Sequence, residues 1–375
     1  MLRLDAPEML ARLVGFPTVV GQPNGDLIAF IAEYLEGHGA RVHVLVGPEG
    51  DRSNLFATLG DPDMPGHILS GHVDVVPAAE PGWLADPFTL RRDGDRLIGR
   101  GAVDMKGFVA AVLSSVPDLA RMPLQSPIHI AISYDEESGC RGVVHLLKHL
   151  PDLCAPPQGC FVGEPTGLVP VLRHKGKAAL RLVAQGSPGH SSRPDLGRNA
   201  IHALVPALAA ARHLAEDLAE TGVRDTTFAP PYHTVQIGKM GGGEALNIIP
   251  ESAWAEIEAR VLPGSDPEEV LAPVIAAAQA ETGVTAEILA AYPALGQEAD
   301  HPLADLAQAL SGNAPGAPVS FGTEAGRFQA AGVPSVVCGP GDIARAHKPE
   351  EYITLSELAA GCDMVMALGR HLSTG

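Results

Sequence analysis

Apolar positions recur along this chain in two rhythms. Segments such as "DLIAFIAEYLEGHG" (26–39), "KGFVAAVLSSVPDLA" (106–120) and "VVHLLKHL" (143–150) space them three and four apart, as a helix with one buried face does. Between them lie short runs rich in Val and Ile, "GHILSGHVDVV" (66–76), "PIHIAISYDEE" (127–137) and "GCFVGEP" (159–165), which read as strands. Strands alternating with helices predict an α/β fold, a mixed or parallel sheet with helices on both faces. From about Lys175 the pattern changes. "KAALRLVAQG", "HTVQIGKMGGG" and "SAWAEIEARVLPG" look like strands of a half-exposed antiparallel sheet, with helices near 198–220 and 266–281. The first pattern then returns in "PLADLAQALSG" and "VPSVVCGPG". The division this predicts is a larger domain, 1–174 plus 293–375, interrupted by a smaller α+β two-layer domain, 175–292. Insertion at a surface loop is well tolerated.

His72 and Asp74 sit two apart in one of the most apolar strands, so both side chains emerge on one face, where they are costly to bury unpaired. Other acids and histidines also stand where an apolar segment gives way to Gly or Pro: Asp104 in "GRGAVDMKG", Glu136 and Glu137 in "SYDEESG", Glu164 in "VGEPTG" and His347 in "ARAHKPEEY". In open sheets, ligands gather beyond the carboxyl ends of the strands. A single residue of this kind reads as a cap or a solvated turn; the set carries more weight than any member. Two histidines with three or four carboxylates and no thiolate suit zinc, and cobalt or manganese less specifically. Five ligands exceed what one tetrahedral zinc needs, and a carboxylate bridging two metals ~3.5–4 Å apart accounts for the number.

The net charge of −18 disfavours nucleic acid and anionic membrane surfaces as partners. Five cysteines, at 140, 154, 160, 338 and 362, form no CxxC pair, which argues against a disulfide framework or a thiolate zinc site. No run approaches the ~18 apolar residues of a membrane span, and no apolar signal core follows Met1-Leu2-Arg3-Leu4-Asp5, so the expected location is the cytoplasm. Three stretches fail the motif each one suggests. "HLLKH" places His145 and His149 four apart but lacks the Glu of HExxH, "GKMGGGE" lacks the ending of a phosphate loop, and "GSPGHSS" is not a serine nucleophile elbow.

The segments "SGHVDVVP", "GRGAVDMKG", "DEESG", "GEPT", "GHSSRPDLGRNAI", "LNIIP", "EARVLPG" and "AHKPEEY" occur in an order that resembles the co-catalytic zinc metallopeptidases. That family includes carboxypeptidase G2, succinyl-diaminopimelate desuccinylase, aminoacylase and acetylornithine deacetylase. "HKGK", "FGTEAGRF" and "CGPGDIARAHKPEEY" look most like its acetylornithine deacetylase branch. The resemblance implies two divalent metal ions, zinc with cobalt or manganese as alternatives, one held by His72, Asp104 and Glu164 and the other by Asp104, Glu137 and His347. It further implies a cis peptide between Asp104 and Met105, Asp74 orienting the His72 ring, and Glu136 as general base. His190 would stabilise the oxyanion in the neighbouring subunit of a homodimer formed through the inserted lid domain, with Asn247 assisting and Arg260 gripping the substrate α-carboxylate. Glu324 or Asp342 would meet a basic substrate tail. The implied activity is release of acetate from N2-acetyl-L-ornithine in arginine biosynthesis. Alternatives are deacylation of acetylcitrulline, succinyl-diaminopimelate or general N-acyl amino acids, and a non-catalytic binding protein that keeps the fold.

Overall fold

A computed structural model describes residues 3–374. Two compact units emerge, each with its own apolar core. The second comprises Arg173–Gly296 and Ala317–Gly322, and the first the rest of the described chain. The short segment Ala317–Gly322 clusters with the second unit because Val319 pairs with His174 there. It falls within the 293–375 stretch that the pattern of strands and helices gave to the larger domain.

The first unit is built on a six-stranded mixed sheet in the order Arg41–Val46, Ser53–Leu59, Ile128–Ser133, His67–His72, Gly159–Pro165, Ser335–Gly339. The last four run parallel to one another, and Ser53–Leu59 is antiparallel to both of its neighbours. The fully buried strands read as near-continuous apolar runs, as strands covered on both faces do. Helix Lys106–Leu119 packs on His67–His72 and Gly159–Pro165, so closely that a Cβ on Gly163 would stand 2.0 Å from the Phe108 ring. Only glycine admits that approach, and Gly163 immediately precedes Glu164.

The second unit is a four-stranded antiparallel sheet, Thr234–Gly242, Ser252–Val261, Gly176–Gln185, Val284–Tyr292, with helices Ala200–Glu220 and Pro267–Gln279 packed against it. Its central strands alternate buried and half-exposed positions, the mark of a sheet covered on one face. The fold class is the mixed α/β one read from the sequence.

Candidate metal centre

Parallel strands bring their carboxyl ends to one edge, and register decides what meets there. His72 lies level with Ser133, and Ser70 with Val162; continuing the register sets His72 beside Glu164. The loop after Ser133 carries Glu136 and Glu137, and Asp104 lies in the turn before helix Lys106–Leu119, where its peptide bond to Met105 is cis. His347 follows the short turn Ile343–Arg345.

These side chains converge. His72 Nε2 lies 3.2 Å from Asp104 Oδ1 and 3.6 Å from Glu164 Oε1. His347 Nε2 lies 2.9 Å from Glu137 Oε1 and 3.3 Å from Asp104 Oδ2. Ligand atoms of His72, Glu136 and Glu164, and of His72, Asp104 and Glu137, fall within 4.8 Å of one another. The tight groups thus pair His72 with Glu136 and Glu137 as well as with the Asp104 and Glu164 that the resemblance implied.

The ring of His72 is held from behind. Its Nδ1 lies 2.9 Å from the Asp74 main-chain carbonyl, which can only accept, so Nδ1–H donates and Nε2 is the atom turned towards the carboxylates. The Asp74 carboxylate is farther, at 3.4 Å. Its oxygens accept instead from the main-chain N–H groups of Glu136 and Glu137, each at 3.1 Å. Asp74 therefore orients the ring chiefly through its backbone, and its carboxylate pins the turn that carries both glutamates. Cys140 Sγ–H donates to Glu136 Oε1 at 3.2 Å.

Charge makes the cluster unstable as bare groups. Burial disfavours charge on His72, yet hydrogen bonds to Asp104 and Asp74 hold its proton affinity well above the ordinary level. Hydrogen bonds to Asp104 and Glu137 lift His347 to about 10. Burial pushes Glu136 up to about 8, with repulsion from Glu137, Asp74 and Asp104 adding to it, and burial followed by repulsion from Asp104 raises Glu164. Burial and charge act together here: Asp74, Asp104, Glu136, Glu137 and Glu164 outnumber two imidazoles in a largely buried site, and a cation beside them would relieve the repulsion. Oxygen and imidazole donors of this kind fit divalent first-row cations, zinc among them.

Three expected substrate contacts lie in the second unit. His190 is exposed, and its Nδ1 accepts the Ser192 N–H at 3.2 Å, which leaves the ring proton on Nε2 in the neutral form. Asn247 is exposed on the adjoining loop, where His190 pairs with Ile248. Arg260 bonds Glu258 at 2.7 Å and Tyr292 at 3.3 Å. Glu324 departs from expectation. It is fully buried, and its two oxygens accept from Ser70 at 2.6 Å and Ser133 at 2.7 Å. With both oxygens engaged beneath the sheet edge, it ties two strands together and presents nothing to a substrate ammonium. Asp342 is exposed and caps the turn Ile343–Arg345 by accepting from Ala344 N–H at 2.9 Å.

Comparison with known proteins adds independent findings. The pattern of peptidase family M20/M25/M40 matches residues 68–371. An acetylornithine deacetylase of Proteus mirabilis (strain HI4320) is 32% identical over 364 residues, 93% of this chain and 92% of that one. The M20 family metallo-carboxypeptidase Sso-CP2 of Sulfolobus solfataricus shares the fold with a TM-score of 0.80 at 18% identity, over 99% of both chains. A dinuclear metal binding peptidase of the M20 family from Bacillus subtilis gives 0.63 at 17% identity, over 99% of this chain and 98% of its own.

Proposed function

This chain belongs to peptidase family M20/M25/M40, hydrolases of amide bonds, and we propose on that footing that it removes the acetyl group of N2-acetyl-L-ornithine to give L-ornithine and acetate, as in arginine biosynthesis. The observation that carries the reading is the meeting of His72, Asp104, Glu136, Glu137, Glu164 and His347 at one sheet edge. His72, Asp104 and Glu164 would hold one divalent cation, and Asp104, Glu137 and His347 a second, with Asp104 shared. Zinc fits these donors best, and cobalt or manganese also fit. Such a pair supplies Lewis acidity that polarises an amide carbonyl and acidifies water near neutral pH.

The protein's own groups do the rest. Glu136 removes a proton from the attacking water and returns it to the departing amine. Asp74 keeps its main chain in place. His190 offers Nε2–H to the developing oxyanion, assisted by Asn247, and Arg260 grips the α-carboxylate with a planar fork. Asp342, exposed and acidic, is the candidate for a basic tail. His190 and Asn247 would serve the partner's site in a homodimer, and the neighbouring Leu246 and Ile248 expose apolar surface for a second copy. The reading is of a cytoplasmic enzyme acting on small N-acyl amino acids; among the described residues no helix is long and apolar enough to cross a membrane.

The second reading keeps this chemistry and changes the amino acid: acetylcitrulline, succinyl-diaminopimelate or another N-acyl substrate. A binding protein without catalysis has no reason to retain Glu136 among a full set of donors. The purified, metal-loaded chain is to be assayed on this panel. N2-acetylornithine should give the highest kcat/KM, and a faster rate on any other member overturns the substrate.

A further inference from the structure

One ion pair of the first unit takes no part in the chemistry above. Arg100 and Glu351 are each 1% exposed, and Arg100 Nη1 lies 2.8 Å from Glu351 Oε2. The other oxygen, Oε1, accepts two successive main-chain N–H groups, from Val103 at 3.0 Å and Asp104 at 3.1 Å. Arg100 reaches in further directions: to the Lys348 carbonyl at 3.4 Å, to the Pro77 carbonyl at 3.2 Å and to Glu80, with its guanidinium over the Trp83 ring. A buried pair of this kind is weak evidence of stability, since well-packed apolar residues of the same volume often do as well or better. Its position suggests another use. One end holds the amide of Asp104, and the other holds the carbonyl next to His347. Those two residues are far apart in sequence, yet their side chains meet at 3.3 Å.

We propose that the Arg100–Glu351 pair is a positioning device for the metal centre, fixing Asp104 and His347 at the spacing that a shared cation requires. This rests on the reading of those two residues as ligands. Glu351 aligns the main chain from which Asp104 projects, and Arg100 ties the His347 loop to the same point. Without the pair both donors remain, but each must be ordered when the cation arrives. Outer partners of metal ligands typically tune affinity by 10–100-fold.

The test uses the full chain stripped of metal, with Zn²⁺ or Co²⁺ added stepwise and followed by calorimetry and, for Co²⁺, visible absorption. Glu351→Ala and Arg100→Met should each weaken the more loosely bound cation by about 10–100-fold, so that one ion per chain is held where the parent holds two. The double variant R100M/E351L replaces the pair by apolar side chains. It should recover thermal stability without recovering metal affinity. Recovery of both together would reduce the pair to ordinary packing and overturn the proposal, as would single variants that fold and bind both ions like the parent. A parent chain that binds no cation would instead overturn the ligand reading beneath it.

Discussion

Two histidines of the six-stranded sheet, at the opposite ends of the strands that deliver His72 and Ser133, set a pH dependence that can be worked out in advance. His67 and His129 are 6% and 0% exposed, on adjacent parallel strands where Ile68 lies beside His129. His129 Nδ1 meets the Thr58 hydroxyl at 2.9 Å, while His129 Nε2 and His67 Nδ1 have no hydrogen-bond partner. Burial holds both rings down to about 4 from an ordinary 6.5, with His371 adding to the effect on His67 and His67 to that on His129. Between those two pH values the unfolded chain takes up protons that the folded chain refuses. The stabilisation from neutral rings is therefore complete above about pH 6.5 and is lost as pH falls towards 4. At 1.36 kcal/mol per pKa unit each ring accounts for ~3 kcal/mol, and the pair for ~7, comparable with the whole stability of many domains. Urea unfolding of the chelator-treated chain at pH 7 and pH 4.5 measures this, which removes metal release as a cause. The double variant H67Q/H129Q should start less stable at pH 7, yet lose ~5 kcal/mol less than the parent between the two conditions. Equal losses in the two proteins would refute the assignment to these rings.

Further outcomes bear on the site. Glu136→Gln should bind metal normally while turnover falls by a factor on the order of 10² or more; an unchanged rate removes Glu136 from proton transfer. His190→Ala should lower kcat by ~10²–10³, as loss of an oxyanion donor does, and a normal kcat refutes that role. Mixing these two inactive variants under conditions of subunit exchange should restore activity if His190 serves the partner's site, because a mixed dimer then has one intact centre; a mixture that stays inactive places both residues in one subunit's site. Gly163→Ala drives a methyl into the Phe108 ring and should cost ~1–3 kcal/mol, read as a fall of several degrees in Tm; an unchanged Tm means that the helix shifts freely.

What was legible in the sequence was what is local. The strand ends could be read because apolar runs stop at Gly or Pro, and a parallel sheet collects such ends without further instruction. His72, Glu136, Glu137 and Glu164 follow from that rule, together with the mixed α/β fold. Strand Val284–Tyr292 is not legible, because "VTAEILAAY" carries four alanines or leucines in helical spacing; its pairing with Gly176–Gln185 overrides the propensity. Glu324 was misjudged for a related reason. An acid before a short helix reads as solvated, and the hydroxyls that capture it, on Ser70 and Ser133, lie 254 and 191 positions away. Arg100 and Glu351 are hidden for the same cause: nothing in "GRG" or "PEEY" indicates that the two side chains meet.

The polar groups that the sequence hides share a direction. The meaning of each depends on one distant partner: Ser70 and Ser133 on Glu324, Asp74 on the amides of Glu136 and Glu137, Glu351 on the amide of Asp104. Periodicity can place a ligand at a sheet edge to within a residue, but a metal distance must hold to a few tenths of an ångström. Precision of that order would come from the hydrogen bonds behind the proposed ligands, whose sequence signals are single letters without a pattern. The residues that choose the chemistry are thus the readable ones, and those that tune it emerge only when the chain is folded.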